Sequence, residues 1–150
     1  MTYFEKALNN NPKLTDMTLD DVKIINLPKI EDPRGNLTVI EGAVHIPFQF
    51  QRVYWIYDVP GGGIRGGHAY KKLHEFIVAL SGSFDVVLHD GRSEKVYSLN
   101  RSYFGLYVPN MIWRSLKNFS TNSLCLVLAS ELYDENDYIR DFELFKTMAE

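Results

Sequence analysis

A histidine and a tyrosine stand two residues apart beside several cations, just after a glycine-rich stretch. They lie in the run RGGHAYKK at residues 65–72. If this run is extended, His68 and Tyr70 point to the same face of a sheet, because side chains alternate along a strand. An imidazole and a phenol on one wall, flanked by Arg65, Lys71 and Lys72, could enolise an anionic carbonyl compound. The run therefore predicts an enzyme.

Size and charge limit the classes of protein to which the chain can belong. It has 150 residues and a formal net charge of -3, which fit one domain and argue against a general nucleic-acid-binding surface. No apolar run approaches the roughly 20 residues of a membrane span. The only cysteine, Cys125, lies in the apolar run 124–128 and predicts a buried thiol. We predict a cytoplasmic protein that binds neither nucleic acid nor membrane.

Short apolar segments alternate with turn residues between about residue 22 and residue 130, without a helical period. About nine strands of this length predict an all-β sandwich or barrel, and a double-sheet jelly roll fits because it closes over one cavity. The predicted strands span 22–27, 36–41, 52–57, 75–80, 84–89, 95–99, 103–108, 113–116 and 123–129.

The two ends of the chain differ from this pattern. We predict an N-terminal extension at 1–20, with a short helix at 2–7, and a single domain at 21–150. Residues 133–149 carry a helix-like apolar spacing, in which Tyr138, Phe142 and Phe145 would share one face.

Several of these segments resemble the nucleotide-sugar 3,4-ketoisomerases, which are cupin-fold enzymes that act on dTDP-4-oxo-6-deoxyglucose. The resemblance covers roughly residues 21–146 and rests on DPRGNL at 32–37, IPF at 46–48, RVYWIY at 52–57, RGGHAYK at 65–71, LVLAS at 126–130 and YDENDYIRD at 133–141. It implies a jelly roll, a homodimer that can exchange N-terminal strands between its subunits, and a pocket for a dTDP-linked 4-oxo-6-deoxy sugar.

The resemblance also implies a reaction, in which a carbonyl moves from C4 of the hexose to C3 through an enediol, without a cofactor, for the synthesis of a bacterial glycan. His68 matches a catalytic histidine of the family, and an imidazole with a pKa of about 6.5 readily accepts and returns a proton. Tyr70 stands where the family commonly has a second histidine. A phenol can donate a hydrogen bond or relay a proton, but it is a poor base at pH 7. Either His68 carries both proton transfers, or the activity has changed or been lost.

The cations indicate how a nucleotide diphosphate could be held, because guanidinium groups bind phosphate oxygens in pairs. Arg52 is the first candidate for the pyrophosphate, and Tyr54 shares its strand face and can stack on the base or the sugar. Arg65 and Lys72 are secondary candidates.

Two further arginines stand at positions where members of the resembled family differ. Arg34 and Arg114 could reach the sugar ring there and influence which face is reprotonated. The resemblance leaves open whether the product has the galacto or the gluco configuration at C4.

The histidines do not supply a metal site, although many jelly-roll proteins of this kind bind a divalent ion through three histidines and a carboxylate. Here the first motif offers only His68 and Glu75, and residues 105–114 contain no histidine. Since a catalytic metal normally needs about three protein ligands, we predict none. His74 and His89 are predicted to be solvent-facing or structural.

Two other functions fit the same residues. One is a noncatalytic nucleotide-sugar-binding protein that keeps the pocket, and the other is a different nucleotide-sugar isomerase or epimerase. Isomerisation should depend on His68, whereas simple binding should depend mainly on Arg52 and the stacking aromatic residues.

Overall fold

Antiparallel strands are the main secondary structure of the computed structural model, which describes residues 17–150. The helix predicted at 2–7 lies outside the described residues. The strands are β1 (Lys23–Asn26), β2 (Lys29–Ile30), β3 (Leu37–Thr38), β4 (Arg52–Ile56), β5 (Arg65–Tyr70), β6 (Glu75–Ser81), β7 (Phe84–His89), β8 (Glu94–Leu99), β9 (Phe104–Val108), β10 (Trp113–Lys117), β11 (Leu124–Ala129) and β12 (Tyr138–Ile139). Two 3-10 turns, Leu19–Asp21 and Glu135–Asp137, and the helix α1 (Phe142–Met148) complete the described elements.

Two five-stranded sheets form the body of the domain. The first has the strand order β1-β9-β6-β11-β4 and the second the order β12-β5-β10-β7-β8, while β2 and β3 pair only with each other. Each paired strand runs antiparallel to its neighbour. This arrangement confirms the predicted double-sheet jelly roll.

The core lies between the two sheets. It forms because buried and less buried side chains alternate along several strands, so that one face of each sheet is apolar. On β7, Phe84, Val86 and Leu88 are buried, whereas the intervening side chains are only half-buried. They belong to the same apolar cluster as Ile77 and Val127 of the first sheet. Burying each such side chain contributes about 1.5–3 kcal/mol to folding. This packing holds the two sheets together and fixes the positions of the residues at their edges.

A second apolar cluster covers part of the outer face of the first sheet. There the segment 27–48 places Leu27, Ile46 and Phe48 against Phe76 and Val78 of β6. A groove of about 470 Å³ remains beside this cover and is lined by Thr38, Ile40, Phe50, Val53, Val78, Leu80, Ser102, Leu126 and Leu128.

The strand predicted at 36–41 is mostly wrong. Only Leu37–Thr38 is extended in a ladder, and it pairs with Lys29–Ile30 in a hairpin that joins neither sheet. Between them Asp32 accepts hydrogen bonds from the backbone and side chain of Arg34. This local turn closes the hairpin after two pairs, and residues 39–41 continue into the loop that crosses the sheet.

The helix predicted over 133–149 is also wrong in its first half. α1 begins only at Phe142, because the carboxylate of Asp141 accepts the amide hydrogen of Leu144 at 2.8 Å and caps the helix. Tyr138 lies on β12, opposite Tyr70 of β5, and not on the helical face. Phe142 and Phe145 do lie together, packed against Trp113.

The described part of the chain contains no helix both long and apolar enough to cross a membrane. The thiol of Cys125 is buried, as predicted, and burial raises its pKa to about 12.

Candidate active site

A cavity of about 960 Å³ contains the histidine and the tyrosine with which the sequence analysis began. Its walls come from β4, the loop 57–64, β5, β10 and the segment 133–140. The residues that line it are Arg52, Tyr54, Trp55, Ile56, Tyr57, Asp58, Val59, Pro60, Gly63, Ile64, Arg65, Gly66, His68, Tyr70, Arg114, Tyr133, Tyr138 and Arg140.

The alternation of β5 brings His68 and Tyr70 into this cavity together, as predicted. Ala69 between them points away and packs with Met111 and Ile139. Nε2 of His68 lies 2.9 Å from the hydroxyl oxygen of Tyr70. The imidazole and the phenol therefore form one hydrogen-bonded pair.

A third ring, that of Tyr138, packs against both members of the pair. Its centroid lies 5.0 Å from the His68 ring and 4.7 Å from the Tyr70 ring. The pairing of β12 with β5 puts Tyr138 there. The sequence predicted Tyr138 on a helical face and not in the cavity, because its helix-like spacing concealed a two-residue strand.

The surroundings of His68 favour its neutral form. Burial, and next the positive charge of Arg114, lower the pKa of His68 to about 3. At pH 7 the imidazole is therefore neutral and can accept a proton. Burial and the negative charge of Glu75 raise the pKa of Tyr70, so that its phenol stays protonated.

A buried ion pair lies beneath the cavity. Nε of Arg114 donates to Oε1 of Glu75 at 2.7 Å, and Nη2 donates to Oε2 at 3.1 Å. Both side chains are only 1% exposed. Nη2 of Arg114 also donates to the Tyr54 hydroxyl at 2.8 Å, and Nη1 donates to the carbonyl of Gly66 at 3.2 Å.

Gly66 is required at this point for two reasons. Its φ is +70°, which side chains rarely permit, and a Cβ there would collide with Nη1 of Arg114. The ion pair thus depends on a glycine in the strand that carries His68. Arg114 does line the cavity, but three protein groups already bind its guanidinium.

One edge of the Arg52 guanidinium has no hydrogen-bond partner among the described residues. Its Nε and Nη2 are buried and have no hydrogen-bond partner in residues 17–150. The guanidinium carbon lies 5.6 Å from the centre of the Tyr54 ring and 5.5 Å from that of the Tyr133 ring. Because unpaired buried donors are costly, this guanidinium is suited to an anionic ligand.

Two other arginines reach the cavity wall. Arg65 is exposed there, and its role as a secondary ligand stays a prediction. Arg140, which the sequence analysis did not single out, donates to both carboxylate oxygens of Glu135 at 2.6 and 2.9 Å. These hydrogen bonds lower the pKa of Glu135 to about 2.

The structure does not bring Arg34 or Lys72 into the cavity. The side chain of Arg34 is 90% exposed in the hairpin turn, paired with Asp32. Lys72 lines a separate surface groove formed by residues 51, 71–72, 131–134 and 136–137. Their predicted contacts with substrate remain predictions.

The other three histidines have structural partners. Nδ1 of His74 lies 2.7 Å from the Tyr107 hydroxyl oxygen, as part of a stacked pair of rings. Nδ1 of His45 and Nδ1 of His89 accept backbone amide hydrogens. Among residues 17–150 no three His, Cys, Asp or Glu side chains are grouped so as to hold a metal ion. The absence of a metal stays a prediction.

The two-sheet jelly roll and its cavity, lined by a histidine, tyrosines and arginines, define a cupin-type enzyme. The chain belongs to the family described as FdtA: WxcM-like, C-terminal, whose model matches residues 20–150. The TDP-4-oxo-6-deoxy-alpha-D-glucose-3,4-oxoisomerase of Aneurinibacillus thermoaerophilus is 45% identical to it over 124 residues, which are 83% of this chain and 89% of the relative.

Solved structures agree with this assignment. The sugar 3,4-ketoisomerase QdtA from Thermoanaerobacterium thermosaccharolyticum, in complex with TDP, is 41% identical, with a TM-score of 0.86 over 88% of this chain and 96% of that one. A 3,4-ketoisomerase from Helicobacter canadensis is 43% identical, with a TM-score of 0.84 over 86% and 97% of the two chains. The dTDP-4-dehydrorhamnose 3,5-epimerase of Bacillus anthracis, at 20% identity and a TM-score of 0.71 over 83% and 81%, shares the fold.

Proposed function

We propose that this protein is a sugar 3,4-ketoisomerase that moves the carbonyl of TDP-4-oxo-6-deoxyglucose from C4 to C3 and yields a TDP-3-oxo-6-deoxyhexose. The observation that carries the proposal is a neutral imidazole, His68, held by Tyr70 in a cavity that also contains a guanidinium with an unpaired edge. Membership of the FdtA family supports it, as does the activity for which the relative that is 45% identical is named.

The reaction moves protons and needs no external oxidant or reductant. His68 removes the proton from C3, the electron pair of that bond forms the C3–C4 double bond, and the C4 carbonyl oxygen takes the negative charge of an enediolate. The proton of the 3-hydroxyl passes to the C4 oxygen as the C3 carbonyl forms, and His68 returns its proton to C4. The Tyr54 hydroxyl accepts a hydrogen bond from Arg114, so its own hydrogen is free to stabilise an enediolate oxygen.

The nucleotide end of the substrate would lie against Arg52. Its unpaired nitrogens can donate to diphosphate oxygens. The rings of Tyr54 and Tyr133 on either side of the guanidinium provide apolar surfaces for the base or the sugar. Arg65, on the exposed wall, would add positive charge nearby.

We also propose a homodimer, with exchange of N-terminal strands as the resemblance implies, and a cytoplasmic location. Arg34 does not line the cavity of its own chain, so a contact between Arg34 and a bound sugar would have to come from a second copy. The hairpin of β2 and β3, which joins neither sheet, carries this arginine in its turn.

The test is to incubate the purified protein with TDP-4-oxo-6-deoxyglucose in deuterated water and to follow the sugar protons by NMR. We expect loss of the C3 proton signal and a new 3-oxo sugar. The same reaction in ordinary water keeps hydrogen at C4, and the coupling of that hydrogen to H5 distinguishes the galacto from the gluco product. His68→Asn should abolish exchange. His89→Asn, which keeps an acceptor near the position of Nδ1 outside the cavity, should leave exchange unchanged.

The rival functions give different results in the same experiment. A binding protein would take up TDP in calorimetry and lose affinity on Arg52→Gln, but would show no exchange at C3 with or without His68. Another isomerase or epimerase would exchange the proton at a different carbon, or at C3 and C5 with the carbonyl still at C4, and would give no 3-oxo sugar.

A further inference from the structure

The two ring nitrogens of His68 have different surroundings. Nε2 faces the Tyr70 hydroxyl at 2.9 Å. Within residues 17–150, Nδ1 has no hydrogen-bond partner. The described side-chain nitrogens that are both buried and unpaired are Nε and Nη2 of Arg52, and Nδ1 of His68 is not among them. Since the ring lines the cavity, Nδ1 is the nitrogen that a ligand can reach.

The hydrogen bond between Arg114 and Tyr54, which lies next to Tyr70 in the cavity wall, has a fixed direction. A guanidinium can only donate, so the Tyr54 hydroxyl oxygen is the acceptor of the 2.8 Å bond from Arg114. The ion pair with Glu75 occupies the other side of that guanidinium and keeps it in place. Tyr54 and Tyr70 both line the cavity. Tyr54 has a second lone pair with which it can accept from Tyr70.

We propose that Tyr70 is a positioning residue that holds neutral His68 as the Nε2–H tautomer, which makes Nδ1 the atom that exchanges protons with the sugar. Nε2–H donates to the Tyr70 oxygen, and the Tyr70 hydroxyl is then free to donate to the Tyr54 oxygen. In the opposite arrangement Tyr70 would donate to Nε2, and the hydrogen on Nδ1 would face the cavity. That form cannot accept a proton from a carbon atom.

This inference rests on the proposed function and specifies its proton transfers. The C3–H bond breaks as Nδ1–H forms, and Nδ1–H breaks as C4–H forms, while Nε2–H remains throughout. No proton has to pass through the tyrosines. The imidazolium that exists between the two steps donates a charge-assisted hydrogen bond to Tyr70. A phenol can serve here because the position needs an acceptor and not a second base.

The tautomer can be measured without turnover, by 1H–15N correlation spectra of protein labelled with 15N-histidine at pH 7. His45 and His89 provide internal references, because backbone amides of Glu41 and Gly91 donate to their Nδ1 atoms and impose the Nε2–H form. We expect His68 to show the same pattern, with an unprotonated Nδ1.

Two variants test the part played by Tyr70. In Tyr70→Phe we expect a mixture of His68 tautomers and a fall in the rate of C3 proton exchange of about tenfold, as for the loss of one hydrogen bond. Tyr107→Phe is the matched control, since it removes the hydroxyl from the other His–Tyr pair, which does not line the cavity. It should leave the His68 spectrum and the exchange rate unchanged.

Distinct results would contradict each part. An Nδ1–H tautomer in the wild type would overturn the inference even if the protein isomerises, and this spectrum decides alone if Tyr70→Phe fails to fold. An Nε2–H form that persists in Tyr70→Phe would overturn the role of Tyr70. The expected tautomer together with no exchange at C3 would support the Nε2–H assignment and overturn the isomerase.

Discussion

His68 is a base whose surroundings oppose its protonation. Burial and the positive charge of Arg114 lower its pKa to about 3, which makes the imidazolium form short-lived and ready to release its proton. A base in this environment takes up a proton only when the substrate supplies it, and returns it soon afterwards. Because a general base works best with a pKa near the operating pH, a pKa of about 3 makes His68 a weak base, and stabilisation of the enediolate by neighbouring hydrogen-bond donors must favour removal of the C3 proton.

The same shift predicts an unusual pH dependence. A histidine with an ordinary pKa of about 6.5 would lose activity as the pH falls through that value. Since the neutral form is the active one and the pKa of His68 is about 3, we expect kcat/KM to stay nearly constant between pH 7 and pH 5. Initial rates measured over this range, with circular dichroism to confirm folding, would test it. An acid limb with a midpoint near 6.5, in protein that remains folded, would contradict the assignment.

The strands explain which parts of the site the sequence could predict. The two-residue alternation of β4 and β5 is a local property, so the shared faces of Arg52 with Tyr54 and of His68 with Tyr70 followed from spacing alone. The pairing of Tyr138 with Tyr70 and the ion pair of Arg114 with Glu75 join distant segments. No local pattern specifies them. The short hairpin of β2 and β3 was missed for the same reason, because its length depends on the sheet that its loop crosses.

α1 has one strong local determinant, which can be tested. Asp141 caps this seven-residue helix, and Phe145 on its inner face is fully buried. We expect Asp141→Ala to lower the free energy of unfolding by about 1 kcal/mol, as for other N-cap losses. Urea unfolding followed by circular dichroism measures this. Glu143→Ala, which removes an exposed pair with Lys146, should cost less than about 0.5 kcal/mol. Equal effects of the two substitutions would refute the importance of the cap.

In the whole molecule, the two faces of the first sheet border different features: one borders the cavity and the other borders the apolar groove. The inner side of β4 supplies Arg52 and Tyr54 to the cavity, and its outer side presents Val53 beside the apolar groove of about 470 Å³. β4 is also an edge strand, paired only with β11. An apolar groove beside an open edge favours contact with another chain. A second copy bound there would lie directly behind the strand that holds Arg52.

This geometry predicts how the proposed homodimer can be disrupted. Val53 is 42% exposed on β4, the edge strand of the first sheet, and Val96 is 47% exposed on β8, the edge strand of the second. We expect Val53→Lys to shift the protein from dimer to monomer in sedimentation velocity, because a desolvated charge opposes burial of the groove. Val96→Lys, an equally exposed valine on the other sheet, should remain dimeric. A Val53→Lys variant that stays dimeric, or a wild type that sediments as a monomer, would show that this face is not the interface between subunits.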